Sequence, residues 1–160
     1  MSIIVNSTPL ISLAVINRLE LLRRIFGDVY VPRAVYDEVI TNGKGKTGYH
    51  QLLKINWFNI AEIENIELKR SIMVQLDEGE AEVVTIAKDK NISPVCIDEF
   101  AGRQYAKLLG LEVIGTLGIL LTAKKKSYIP AVKPLCDKLI SNGRYIERNL
   151  YNEVMKKAEE

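Results

Sequence analysis

The chain reads as a three-layer α/β/α sandwich around a mostly parallel central sheet, one domain spanning residues 1–160. Three observations point there. Short apolar runs such as Ile3-Ile4-Val5, Val29-Tyr30-Val31 and Val95-Cys96-Ile97 have the character of interior strands covered on both faces. Helical segments with recognisable caps separate these runs, and the resulting βαβα order belongs to parallel strands joined by crossover helices. Finally, 160 residues at 48% hydrophobic and 26% charged suit one ordinary domain with a single core.

The elements follow in order. After the strand Ile3–Val5, Thr8 is expected to cap a helix with Pro9 at its first position. Asn17, with Glu20 three residues on, marks a second helix through Phe26 that Gly27 closes. Val29–Val31 is the next strand, and Pro32 opens a helix to about Ile40. Residues 41–49 break the pattern with Gly43, Gly45 and Gly48 among lysines, as a surface loop does. A strand around Trp57–Ile60 and helices over 67–76 and 78–89 come next. The alternation then resumes with strand Val95–Ile97, a helix to Leu109, strand Glu112–Ile114 and a helix to Lys126, before helices at 132–140 and 149–158.

Composition excludes several classes. A net charge of +2 is too small to mark a nucleic-acid protein by itself, so such binding would need local patches. The longest apolar run, Ile114–Ala123, holds two glycines and two threonines and is shorter than the roughly 18 residues of a membrane span. Met1-Ser2-Ile3 has no basic leader, so a cytoplasmic location without membrane association is expected. Cys96 and Cys136 lack paired spacing and suggest neither a disulfide nor a metal site.

One motif misleads. Gly43-Lys44-Gly45-Lys46-Thr47-Gly48 satisfies G-x-G-x-x-G, but it follows a helix. A phosphate cradle must instead follow a strand and open a helix, so that backbone N–H groups face the anion. A lysine-rich loop is the better reading, and His50 beside it is expected to be a solvated residue.

The acids carry more. Glu38 stands in the last turn of its helix, where the macrodipole disfavours a carboxylate unless a cation compensates. Glu80 is the third residue of a helix capped by Asp77, yet lies at the centre of the face made by Val83, Val84 and Ala87. Glu82 falls on the other side and is expected on the surface. Asp98 ends the buried run Val95–Ile97 at the rim where α/β proteins bind ligands; its plain alternative is a helix cap. Glu99 is spaced to pair with Arg103, and Arg103 with Lys107 would form a solvent-facing ladder. Asn6, Ser7 and Thr8 occupy the corresponding end of the first strand.

The segments Val5-Asn6-Ser7-Thr8-Pro9-Leu10-Ile11, Val31-Pro32 to Val35-Tyr36-Asp37-Glu38-Val39, Leu76-Asp77-Glu78-Gly79-Glu80-Ala81-Glu82, Ile97-Asp98-Glu99 with Arg103, and Gly115-Thr116-Leu117-Gly118 resemble the PIN-domain family. Within it they are similar to the prokaryotic branch DUF3368. The likeness runs in order from Ile3 to the helix at Asn149-Leu150. It implies a Mg²⁺- or Mn²⁺-dependent endoribonuclease, often the toxin of a toxin–antitoxin pair. On that likeness Asn6 takes the first-strand acid position, Glu38 the second, Glu80 (or Glu82 on another alignment) the third and Asp98 the fourth with Glu99 beside it. Thr8 and Thr116 match hydroxyl positions near the crevice.

Metal-assisted hydrolysis is the chemistry such positions serve, because hard carboxylate oxygens suit Mg²⁺ or Mn²⁺. Asn6 departs from the acid-rich pattern: its amide oxygen can ligate but brings no charge. The expected metal ligands are therefore Asp98, Glu80, Glu38 and Glu99, with Asn6 as a neutral member of the catalytic set. Thr8, Thr116, Arg103 and Lys107 are expected to meet substrate. RNA, a small antitoxin protein and a second copy of the chain in a homodimer are the expected partners. The competing class is a catalytically silent PIN-like domain that binds RNA or protein through Arg103, Lys107 and Lys124 to Lys126.

Overall fold

In a computed structural model covering residues 1–160, five parallel strands form one sheet, β1 (Ser2–Val5), β2 (Asp28–Pro32), β3 (Phe58–Ala61), β4 (Val95–Cys96) and β5 (Val113–Ile114), in the spatial order β3-β2-β1-β4-β5. The chain builds outward from β1 through β2 to β3, then returns to the opposite side of β1 for β4 and β5. The order therefore reverses between β1 and β4, and in open α/β sheets the crevice at the carboxyl ends of such a reversal is where ligands bind.

Ten α-helices flank the sheet: α1 (Ser7–Val15), α2 (Glu20–Phe26), α3 (Arg33–Tyr36), α4 (Tyr49–Leu53), α5 (Ile66–Ile72), α6 (Glu78–Lys90), α7 (Phe100–Leu108), α8 (Thr116–Lys125), α9 (Lys133–Ser141) and α10 (Arg148–Ala158). Ile3, Ile4 and Val5 of β1 and Val95 and Cys96 of β4 are wholly buried, which is why these strands read as continuous apolar runs. Both cysteines are free and buried; burial raises both thiols, Cys136 to about 11, so neither is reactive at neutral pH. No helix is long and apolar enough to cross a membrane.

Several local expectations are corrected. The first helix begins at Ser7, so Thr8 lies inside it and Asn6 takes the cap position. The helix after Pro32 is not uniform: α3 passes at Asp37 into a π-helical turn, Asp37–Thr41, a form that is frequent at functional sites. Gly43 packs against this turn, because a Cβ there would lie 2.1 Å from the Val39 carbonyl oxygen. The glycine–lysine segment thus follows a helical turn, and no strand feeds it. His50, exposed, belongs to the short helix α4, where its ring meets Tyr49 edge-on.

Glu82 is the largest correction. It is only 5% exposed; one carboxylate oxygen accepts the Ala34 N–H at 2.9 Å and the other pairs with Lys69 Nζ at 2.7 Å. A buried charge is tolerated when it is paired and hydrogen-bonded, and here it ties α3 and α5 to α6. With both oxygens engaged in structure, Glu80 is the better placed of the two acids for chemistry.

Candidate functional site

Register sets the crevice. Val5 pairs with Cys96, and the Asn6 N–H donates to the Cys96 carbonyl at 3.0 Å, so the residues leaving β1 and β4 emerge side by side at the sheet's reversal. Asn6 is 2% exposed. Although it holds the cap position of α1, its side chain makes no capping bond, and its Oδ1 is buried with no hydrogen-bond partner. That atom faces the first turn of α6: a Cβ on Gly79 would lie 3.2 Å from it.

Glu80 combines two tasks. Asp77 Oδ1 accepts the Glu80 N–H at 2.8 Å while Glu80 Oε2 accepts the Asp77 N–H at 3.2 Å, a reciprocal capping box. The second oxygen, Oε1, is left facing α7, 3.0 Å from where a Cβ on Gly102 would sit. Burial raises the Glu80 carboxyl above its usual range; the Asp77 N–H opposes this, while the charges of Asp77 and Glu99 add to it.

Asp98 leaves β4 and does not cap the helix that follows it. Its oxygens reach across to α8, accepting the Thr116 N–H at 2.8 Å and the Thr116 hydroxyl at 2.7 Å. The cap residue of α8 is Gly115, which has no side chain to offer, so Asp98 does the capping from a neighbouring strand. Gly115 is required for it: a Cβ there would lie 2.9 Å from both Asp98 Oδ1 and Arg103 Nη1. Burial raises the Asp98 carboxyl, the two Thr116 bonds lower it, Glu99 raises it and Arg103 lowers it.

Glu99 stands between these acids, its charge felt by both Glu80 and Asp98, and it accepts a hydrogen bond from the Thr8 hydroxyl. It makes no ion pair with Arg103. The Arg103 guanidinium turns inward instead and donates to the Ile97 carbonyl at 2.9 Å, which removes it from the expected solvent ladder, while Lys107 stays exposed. Glu38 is exposed on the π-helical turn, without a hydrogen bond or ion pair, and no three His, Cys, Asp or Glu side chains converge in an arrangement that could hold a metal ion. Lys124, counted among the RNA-binding cations in the silent-domain reading, is engaged elsewhere: it donates to the Ala158 carbonyl and pairs with Glu160 at 2.9 Å.

Two clefts meet at Asp98. The larger, about 730 Å³, is lined by Thr8, Asp98, Thr116, Phe100, Arg144 and Tyr145 among others. A smaller one of about 370 Å³ includes Asp98, Arg103, Gly115 and Lys157. Arg144, Tyr145 and Lys157 carry no motif in the sequence, so only the fold brings them to the acids, whereas Phe100 directly follows Glu99.

A five-stranded parallel sheet between helices, with oxygen-bearing side chains gathered at its order reversal, defines an α/β protein with its site at the strands' carboxyl ends. A family model described as a PIN domain, DUF3368, matches residues 2–160, and the chain belongs to that family, whose fold is a nuclease fold. No curated protein and no solved structure matches the chain at a significant level.

Proposed function

We propose that this chain is a metal-dependent endoribonuclease that hydrolyses RNA phosphodiester bonds at the crevice between β1 and β4. The observation that carries the reading is the buried, unpartnered Oδ1 of Asn6 facing the first turn of α6, where Glu80 sits. An acceptor buried without a donor costs about 1–3 kcal/mol, and a hard divalent cation or its water is the partner an amide oxygen matches. The oxygens of Asn6, Glu80, Asp98 and Glu99 are the donor type that Mg²⁺ or Mn²⁺ takes and softer metals do not, and since no three of the acids converge as they stand, holding the ion would require them to draw closer. When bound, such a cation acidifies a water and neutralises charge on the phosphate.

The chain's own residues do the rest. Asp98, fixed by Thr116, presents a preoriented carboxylate. Glu80 has one oxygen left over from the capping box, whereas both Asp98 oxygens are engaged by Thr116, so Glu80 is the acid placed to take a proton from a water. Arg103 and Lys157 on one side and Arg144 on the other supply the positive charge that an RNA backbone seeks. The exposed Glu38 is a rim residue in this reading and joins the ligand set only if the π-helical turn carries it inward.

The test is cleavage. The purified chain is expected to cut RNA when Mn²⁺ or Mg²⁺ is supplied, and Asp98→Asn to abolish cutting while the chain still folds and unfolds in one cooperative transition. Full cutting by Asp98→Asn, or none by the unaltered chain with either metal, rejects the reading. The toxin role is part of the same proposal: expression in a bacterial host is expected to arrest growth, and Asp98→Asn to relieve the arrest.

A second reading has its own support. Glu99 and both Asp98 oxygens already have donors within the chain and Asn6 carries no charge, a state that also suits a domain that binds without hydrolysis. RNA binding with no cleavage under either metal would favour it.

A further inference from the structure

We infer that in the larger cleft beside Asp98 Phe100 and Tyr145 stack on the bases of a bound strand while Arg144 takes a backbone phosphate. The inference rests on the nuclease reading of the crevice and names the side chains that grip its substrate.

Phe100 is 77% exposed and Tyr145 87% exposed; every other phenylalanine, tryptophan and tyrosine of the protein is at least partly buried. They come from different elements, the first turn of α7 and the loop between α9 and α10, and both line the same cleft with Asp98 on its wall. Scattered exposed apolar residues are ordinary, but two large aromatics from separate elements that share one cleft mark a binding surface. Flat π faces beside a basic groove are what sequence-tolerant binding of single strands uses, because every base has a face to stack and a duplex hides it.

The polar lining agrees. Arg144 Nε donates to the hydroxyl of buried Ser12 at 3.1 Å, which anchors the guanidinium and leaves its terminal N–H groups for a ligand. Glu147, the acid that shares the cleft with Asp98, accepts the N–H groups of Asn149 and Leu150 at 3.1 and 3.0 Å, so its charge is directed to the start of α10. Beyond Asp98 the second cleft continues with Arg103 and Lys157. A strand laid across both clefts places a phosphate over Asp98 with bases on the aromatic side.

The experiment is fluorescence anisotropy with a labelled single-stranded oligoribonucleotide of about ten nucleotides, the full chain, and a chelator so that nothing is cut. Phe100→Ala and Tyr145→Ala are each expected to weaken binding about tenfold, Phe100→Trp and Tyr145→Phe to bind like the unaltered chain, and an abasic oligonucleotide of equal length to bind like the double alanine variant. Both residues are exposed, so unfolding midpoints are expected to stay put. Absence of single-strand binding, equal affinity for the abasic strand, or alanine variants that bind undiminished would overturn the inference; the last would leave the aromatic rim to a protein partner. The two proposals fail separately: cleavage with undiminished alanine variants removes the stacking groove alone, whereas stacking without cleavage under either metal removes the nuclease alone.

Discussion

Asp98 and Thr116, 18 positions apart, form a two-point contact in which the carboxylate of one caps the helix begun by the other, through the backbone N–H at 2.8 Å and the hydroxyl at 2.7 Å. The contact joins the end of β4 to α8 and holds the acid's plane at the crevice. Thr116→Val keeps the backbone donor and removes the hydroxyl. Loss of about 1–2 kcal/mol is expected from one partly buried carboxylate oxygen left without a donor, with a drop of roughly 2–8 °C in unfolding midpoint at this chain length. The Asp98 carboxyl rises further, since one of the two bonds that favour its charged form is gone. Calorimetric unfolding of the two proteins checks the stability, and an unchanged midpoint would show that the hydroxyl does not secure the acid.

Asn6→Asp adds a charge where the chain has a buried amide oxygen without a donor. Without metal the variant is expected to unfold at lower temperature, because a carboxylate is being desolvated among Glu80, Glu99 and Asp98. With Mn²⁺ the order reverses: binding tightens by about tenfold, or about 1.4 kcal/mol, and the midpoint gains more from added metal than that of the unaltered chain. Titration calorimetry and metal-dependent unfolding read both effects. Equal affinity in the two proteins puts residue 6 outside the ion's coordination.

Glu82 holds together three helices, so Glu82→Ala is expected to cost about 2–4 kcal/mol by leaving the Ala34 N–H and the Lys69 ammonium short of a partner. Lys69 retains Glu78 at 3.0 Å, which moderates the loss. Adding Lys69→Met to Glu82→Ala should restore part of the stability, since no charge is then left behind. Denaturant unfolding of the four proteins in the cycle measures this; additive losses would show that the pair is not coupled.

The fold was legible in the residues because β1, β2 and β4 carry short apolar runs and because Pro32, Gly27 and Asp77 punctuate the helices as their chemistry requires. Asp98 and Glu80 stood out for a local reason: a carboxylate ending an interior strand, and another on an apolar helix face. What was not legible depends on partners distant in the chain. Glu82 reads as a surface acid because the groups that bury it, Lys69 and the Ala34 N–H, lie 13 and 48 positions away. Arg103 has the spacing of a pair with Glu99, yet a nearby carbonyl and the Thr8 hydroxyl compete better for the two side chains. Phe100 and Tyr145 would be assigned to a core by composition alone; that both stand in solvent, and that Tyr145 shares a cleft with Asp98, are properties of the fold.

Glu160 offers a pH signature remote from the crevice. Its carboxylate accepts the N–H groups of Val132 and Lys133 at 2.8 and 3.0 Å and pairs with Lys124 at 2.9 Å, so the end of α10 supplies the start of α9 with the cap that Val132 cannot provide. Desolvation pushes this carboxyl up, but the two backbone donors and Lys124 outweigh it and leave the pKa below its ordinary 4.5. Between the folded and ordinary values the unfolded chain binds more protons, so stability increases with pH there. The contribution is present in full above the ordinary value and is lost as pH falls through the depressed one. Glu160→Gln imitates the protonated state at every pH. At pH 7 it is expected to unfold about 2–4 °C lower than the unaltered chain, an effect of about 1 kcal/mol for a solvent-screened group. That gap should hold constant from pH 6 to 8 and close as acid protonates Glu160 in the folded protein. Thermal unfolding from pH 8 down to below the depressed pKa decides it, and a gap that persists at the acid end would mean that the clasp does not depend on the charge.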